Sequence, residues 1–318
     1  MAQAVMHALR AHDRGDVAGL RYEQMPVPSP GIGDVLLQVA GASFTPTELD
    51  WPSTWVDRAG RDRTPAVPGH EVSGTVVTLG YGTTGLAVGD EVFGLTDWYR
   101  DGAAAEYVAV EARNLARKPA SIPAAEAAAV PLAALTAWQA LFTHGGLRSG
   151  QTVVVAGAGG GVGTFAIQLA RHAGARVIGI GREQARDLVM DLGADQFAEA
   201  DDAGLGQVGD ADALFDLVGG DLVERYPSMV RRGGVMVSVV APIGADGTGH
   251  GTLDEIRSVF FVVEPDRVQL GDLAGRIDAG RLRPVVGRVA DLADGSRAWA
   301  AKQSGGVPGK VVLRPPQR

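Results

Sequence analysis

Short apolar runs at residues 35–39, 72–77 and 106–110, set off by Gly and Pro at close intervals, dominate the first ~115 residues. Runs of this length, rich in β-branched side chains and closed by turn formers, predict a small all-β unit. From about Ala120 the texture changes. Apolar strands at Thr152–Ala156, 177–180, 213–217 and 235–239 alternate with helical patterns at 162–173 and 184–192. That alternation predicts βαβ crossovers and a parallel sheet. A helical pattern at 270–279 then precedes strand-like runs at 285–289 and 310–313. We read the terminal segment as returning to the first unit. Residues 1–119 and 266–318 then form one β domain, and 120–265 form an α/β domain inserted into it.

The junction after Thr152–Ala156 carries the most chemistry. Gly157, Ala158, Gly159, Gly160, Gly161, Val162 and Gly163 lead directly into an amphipathic helical pattern. Glycines let the backbone turn sharply and let a pyrophosphate approach free N–H groups at the positive end of a helix. The spacing is G-x-x-G-x-x-G at Gly157, Gly160 and Gly163, because Val162 occupies the last position of the more usual G-x-G-x-x-G. In a chain with 45 glycines among 318 residues such a string arises easily by chance. The preceding strand and following helix supply the context that makes it a dinucleotide turn. The next strand ends at Gly181-Arg182, where a binder of the unphosphorylated dinucleotide generally carries an acid for the ribose 2′-OH. Gly181 leaves room for a 2′-phosphate, and Arg182 and Arg186 supply cations, so NADPH is the expected cofactor. Glu183 argues the other way, and a solvated surface charge is the plain alternative for Arg182.

Composition removes other classes. The chain has no Cys and a formal net charge of −8. Disulfides, thiolate metal sites and cysteine nucleophiles are thereby excluded, and the acidic balance argues against a nucleic-acid surface. The N-terminal stretch is broken by His7, Arg10, His12, Asp13 and Arg14, and no run is read as reaching the ~18–20 apolar residues of a membrane span. We expect no membrane partner and a cytoplasmic location. The six histidines show no H-E-x-x-H spacing, and no G-x-S-x-G turn occurs.

Several further motifs, in their order along the chain, resemble the medium-chain dehydrogenase/reductase superfamily, specifically its zinc-free quinone oxidoreductase branch, the group of zeta-crystallin. They are Pro68-Gly69-His70-Glu71, Val88-Gly89-Asp90-Glu91-Val92, Gly102 through Val108, Leu135-Thr136-Ala137-Trp138-Gln139, Asp216-Leu217-Val218-Gly219-Gly220 and Gly309-Lys310-Val311-Val312-Leu313. The resemblance implies an α/β fold: a Rossmann-type doubly wound parallel sheet inserted into a discontinuous GroES-like β domain. It also implies a homodimer formed through an edge strand, for which 258–263 is the candidate; an ordinary core strand is the alternative.

Zinc-dependent relatives carry a cysteine ligand at the position of Thr45, with His70 and Glu71 supplying further ligand groups. Here a neutral hydroxyl replaces the thiolate, and no cysteine lobe lies between Gly94 and Tyr107. No metal is therefore expected, and His70 reads as a hydrogen-bonded turn residue. The resemblance places Thr45 and Thr136 near the nicotinamide, though both suit structural hydroxyls equally well. Trp51 and Trp55 fall in the segment that lines the substrate side, where they read either as stacking surfaces for a flat substrate or as a plug beneath a loop. The expected activity is hydride transfer from NADPH to a quinone or an α,β-unsaturated carbonyl. The alternatives are an NADPH-binding structural or regulatory protein with little turnover, and a zinc-type alcohol dehydrogenase.

Overall fold

The computed structural model describes residues 4–242, 250–253 and 255–316. Its strands, in chain order, are β1 (Val5–Ala11), β2 (Leu20–Pro26), β3 (Asp34–Ser43), β4 (Glu71–Leu79), β5 (Glu91–Leu95), β6 (Tyr107–Glu111), β7 (Leu115–Arg117), β8 (Thr152–Ala156), β9 (Arg176–Gly181), β10 (Gln196–Glu199), β11 (Ala211–Asp216), β12 (Val230–Ser238), β13 (His250–Leu253), β14 (Ile256–Phe260), β15 (Val286–Asp291) and β16 (Lys310–Arg314). They divide between two compact units. The first takes in the described residues up to Leu132, Pro265–Gly280 and those from Pro284 on; the second is Ala133–Glu264 with Arg281–Arg283.

In the first unit β1 and β2 form an antiparallel pair, and a sheet runs in the order β15-β16-β3-β4-β5-β7 with β6 also on β3. β16 is antiparallel to β3, with Val312 opposite Ser43 and Leu313 opposite Ala42. The end of the chain thus completes a sheet begun near its start. Val35, Leu37 and Val39 of β3 point into one core with Val72, Val76 and Val110, each contributing about 1.5–3 kcal/mol by leaving water. This unit runs past the predicted boundary at 119 because Ala128 and Ala129 pack against Val312. The Leu132 N–H also donates to the Glu71 carboxylate at 3.0 Å.

In the second unit the order is β10-β9-β8-β11-β12-β14-β13. All neighbours are parallel except β13, which is antiparallel to β14. Val153, Val154 and Val155 of β8 are fully buried, as a strand covered on both faces requires. The winding reverses between β8 and β11, and open α/β sheets take ligands beyond the carboxyl ends of the strands at such a point. The run at 258–263 is not an edge: β14 lies between β12 and β13, and β13 forms that border of the sheet. The predicted helix at 184–192 is a short turn, Glu183–Ala185, followed by the helix Arg186–Asp191. One stretch, Ala124–His144, is long and apolar enough to cross a membrane, contrary to the sequence reading; 78 % of its apolar window is buried inside the protein.

Candidate active site

In the second unit the glycine turn stands at the end of β8. The N–H groups of Gly157 and Ala158 both donate to Ile180 O at 2.9 Å, which ties the turn to β9, and Gly160 N–H donates to Gly157 O at 3.0 Å. The helix Gly161–His172 follows, and its first backbone bond runs from Thr164 N–H to Gly160 O. The amides of Gly161, Val162 and Gly163 therefore have no acceptor among the described residues, as the first turn of any helix requires. Together with the helix dipole they form an anion cradle.

The glycines differ in what they permit. A Cβ on Gly163 would lie 2.3 Å from Gly157 O and 2.7 Å from Ala158 O, and one on Gly159 would lie 2.5 Å from the Ala185 Cβ. At Gly160 the closest atom would be Gly157 O, at 3.1 Å. Gly163 lets the helix close on the turn, Gly159 lets the turn approach the segment after β9, and Gly160 borders open space.

At the end of β9, Gly181 is half-buried and Arg182 is exposed, and its guanidinium has no ionic or hydrogen-bond partner among the described residues. Arg186, expected to share the 2′-phosphate with it, is committed elsewhere. Its guanidinium makes a bidentate pair with Glu183 at 2.7 and 2.8 Å and sits 4.7 Å over the Phe197 ring. Thr136 is 3 % exposed, and its buried hydroxyl has no hydrogen-bond partner among the described residues. An orphaned hydroxyl and a cradle of unbonded amides are the features a bound dinucleotide would satisfy, so these residues fit a nicotinamide cofactor.

The sequence reading missed the support behind the turn. Asp216, fully buried at the end of β11, accepts from Val218 N–H, Gly219 N–H and the Tyr226 hydroxyl on one oxygen and from Ser238 Oγ on the other, at 2.8–2.9 Å. Burial and then the Asp216 carboxylate hold the Tyr226 phenol well above its usual range, so it is a donor at neutral pH. The Asp216 motif carried that signal, but only the fold brings Tyr226 and Ser238 to it.

In the first unit Thr45 is half-buried, and its hydroxyl has no partner among the described residues. Phe44 stacks on Trp299 with centroids 3.9 Å apart, and Pro46 O accepts from Trp299 Nε1 at 3.2 Å and from Gln303 Nε2 at 2.9 Å. The segment bearing Thr45 is thus pinned by the helix Gly295–Gln303, which belongs to the far end of the chain. Thr45 N–H donates to Glu48 Oε2 at 3.2 Å, and Glu48 Oε1 accepts from Gly69 N–H at 2.6 Å. Burial raises the Glu48 carboxyl to about 7, although the two amides work against it. Thr45 and Glu48 stand in T-x-x-E spacing, the capping-box signature that could have revealed this residue.

His70 is a hydrogen-bonded residue before β4. Its Nδ1 lies 2.5 Å from Thr96 Oγ1, and its Nε2 lies 3.5 Å from Glu48 Oε1. Burial first, and then the Arg63 charge, push the imidazole down to about 3, so it is neutral. The Lys310 ammonium pairs with Glu71 and donates to Phe44 O at 2.9 Å. Among the described residues no three His, Asp or Glu side chains converge. A catalytic zinc wants three such donors and an open position. The donor set at Thr45, His70 and Glu71, a neutral hydroxyl, an imidazole tied to Thr96 and a carboxylate tied to an ammonium, does not fit that metal.

The two tryptophans part company. Trp51 is half-buried and meets Trp98 edge-on at 5.7 Å, and Trp98 meets His70 at 5.2 Å. Trp98 was not anticipated. Trp55, a candidate stacking surface, is 1 % exposed, donates from Nε1 to Leu49 O at 2.8 Å and belongs to a core cluster with Phe44, Leu49 and Trp299. It is the plug, not a substrate contact.

Two family profiles match the chain: an alcohol dehydrogenase GroES-like domain over residues 31–120 and a zinc-binding dehydrogenase over residues 186–313. The 2-methylene-furan-3-one reductase of Solanum lycopersicum is 30 % identical, covering 98 % of this chain and 79 % of its own. The chloroplast envelope quinone oxidoreductase homolog of Arabidopsis thaliana is 28 % identical, over 99 % and 100 % of the two chains. Among solved structures, the quinone oxidoreductase from Coxiella burnetii superimposes with a TM-score of 0.89 at 25 % identity, covering 98 % and 99 % of the chains.

Proposed function

Because the chain belongs to the medium-chain dehydrogenase/reductase superfamily, in its quinone oxidoreductase branch, we propose that it is an NADPH-dependent, zinc-independent reductase of quinones or α,β-unsaturated carbonyls. The observation that carries the reading is the glycine turn, whose three unbonded amides stand near the unpaired Arg182 at the end of the neighbouring strand. In this proposal Gly161, Val162 and Gly163 hold the pyrophosphate, Arg182 meets the 2′-phosphate and Thr136 uses its orphaned hydroxyl on the cofactor. NADPH, when bound, supplies the hydride.

Thr45 serves as a hydrogen-bond donor toward the acceptor's oxygen, with its backbone fixed by Glu48 and its flanks by Trp299. Conjugated acceptors suit this corner, since they spread the developing charge and ask for orientation and one or two donors rather than a Lewis acid. The acceptors for which two relatives are named, a quinone and 2-methylene-furan-3-one, are both of this type. Trp51 and Trp98 offer the aromatic surface.

The test is steady-state NADPH oxidation by the purified protein with a panel of quinones and enones. Saturable turnover supports the proposal. Tight NADPH binding without turnover would favour a second reading, a binding protein, which draws on the neutral Thr45 corner and the absence of a tyrosine from residues 50–55. About one zinc per chain, lost in His70→Ala, would overturn the metal-independent reading.

A further inference from the structure

Beyond the cradle itself, the Asp216-Leu217-Val218-Gly219-Gly220 motif has no role in the chemistry above, yet the buried Asp216 side chain accepts four hydrogen bonds. Asp216 O and N–H groups continue β11, while its side chain turns back on the loop that follows and fixes the amides of Val218 and Gly219. Gly219 and Gly220 both hold left-handed φ angles, +66° and +63°, which lets the chain reverse directly against that carboxyl. On the far side, Ser238 Oγ donates to Asp216 and accepts from Val240 N–H at 3.1 Å, so the segment after β12 hangs on the same carboxyl. A Cβ on Gly219 would lie 2.7 Å from Val240 Cγ1, which shows how closely the two segments meet.

Their exposed product is apolar. Val218 and Val240 are each 47 % exposed, and Val218 Cγ2 and Leu217 Cβ would each stand 3.1 Å from a Cβ on Gly157, the first glycine of the turn. Two half-exposed valines touching or neighbouring an anion cradle form a wall against which a flat, partly apolar ligand can lie.

We propose that Tyr226 is a positioning residue for the dinucleotide: with Ser238 it orients Asp216, and Asp216 sets the Val218–Val240 wall beside the glycine turn. Tyr226 itself is fully buried, so its effect on a ligand runs through Asp216. It lies in the helical turn segment Gly220–Met229, so its hydroxyl reaches the carboxyl from beneath the loop. Losing that donor leaves Asp216 with an incomplete shell and frees the loop to shift, which weakens binding without altering the phosphate contacts. This inference rests on the reading of the turn as a nicotinamide dinucleotide site.

The test is calorimetric titration of the full chain with NADPH and with NADH, for wild type, Tyr226→Phe, Ser238→Ala and Val208→Ala. Tyr226→Phe and Ser238→Ala are expected to raise the Kd of both dinucleotides by about threefold to tenfold and in equal proportion, because each loosens the loop and removes no direct ligand contact. Val208→Ala opens a cavity in the same core cluster without touching the network, and is expected to lower the melting temperature with Kd unchanged. Wild-type affinity in both network variants would overturn the positioning role and leave the site reading standing. A wild-type chain that binds neither dinucleotide would overturn the site reading and this inference with it.

Discussion

Arg182 and Arg186 stand four positions apart at the end of β9, yet only Arg182 is available to a phosphate, because Glu183 and the Phe197 ring already engage Arg186. Replacing Arg182 with Ala is therefore expected to weaken NADPH binding by about 1.5–3 kcal/mol, the range for a charge-assisted hydrogen bond, with NADH affinity unchanged. Arg186→Ala is expected to cost much less, and titration of each variant with both coenzymes checks the contrast. Thr136 poses the opposite case, a hydroxyl buried without a partner. Thr136→Val removes a desolvated polar group at constant shape, so thermal unfolding of the ligand-free protein is expected at an unchanged or higher temperature, while NADPH affinity falls severalfold. At this scale the sequence reading was uneven. Thr136 and Arg182 were visible as members of patterns, whereas Trp55 stayed open between stacking surface and plug because two tryptophans four residues apart look alike until the chain turns one of them inward to Leu49.

The strand–turn–helix from Thr152 to His172 was legible because each part follows local rules: a run of valines, a cluster of glycines and an amphipathic repeat. Which glycine is indispensable was not legible. The structure assigns the tightest approach to Gly163, whose added Cβ would meet two backbone oxygens that cannot step aside. Gly163→Ala is expected to destabilise the second unit by about 1–3 kcal/mol, the cost of overpacking, and to abolish dinucleotide binding, as measured by unfolding and titration. Gly160→Ala meets only one oxygen, at 3.1 Å, and is expected to fold nearly as well as the wild type. The border of the parallel sheet also escaped the sequence reading. The apolar run at 258–263 suits an edge or an interior strand alike, and only the antiparallel partner β13 decides between them.

At the scale of the whole molecule, acid stability of the first unit depends on Asp34, which opens β3. Burial alone would raise its carboxyl, but hydrogen bonds from Arg100 and from Gly31 N–H, together with the Arg100 charge, outweigh burial and hold it below the ordinary carboxylate range. A depressed folded value means the contribution is fully present above the unfolded value of about 3.9 and is lost as pH falls through the lower folded value. Asp34→Asn is expected to be less stable at neutral pH and to flatten the dependence below about pH 4. Tryptophan fluorescence melts report mainly on this unit, since four of the five tryptophans, Trp51, Trp55, Trp98 and Trp299, lie in it and Trp138 lies in the second. By itself the sequence determined the two textures and the strand–glycine turn–helix at Thr152–His172, because periodicity and glycine spacing act through neighbours along the chain; the pairing of β16 with β3 needed the fold. Tertiary structure alone decided that helix Gly295–Gln303 grips the Thr45 segment, that Glu48 and Lys310 occupy the corner where a metal would need donors, and that Tyr226 reaches Asp216. Those contacts join residues from distant or separately folded segments, and their partners are set by packing that no local pattern encodes.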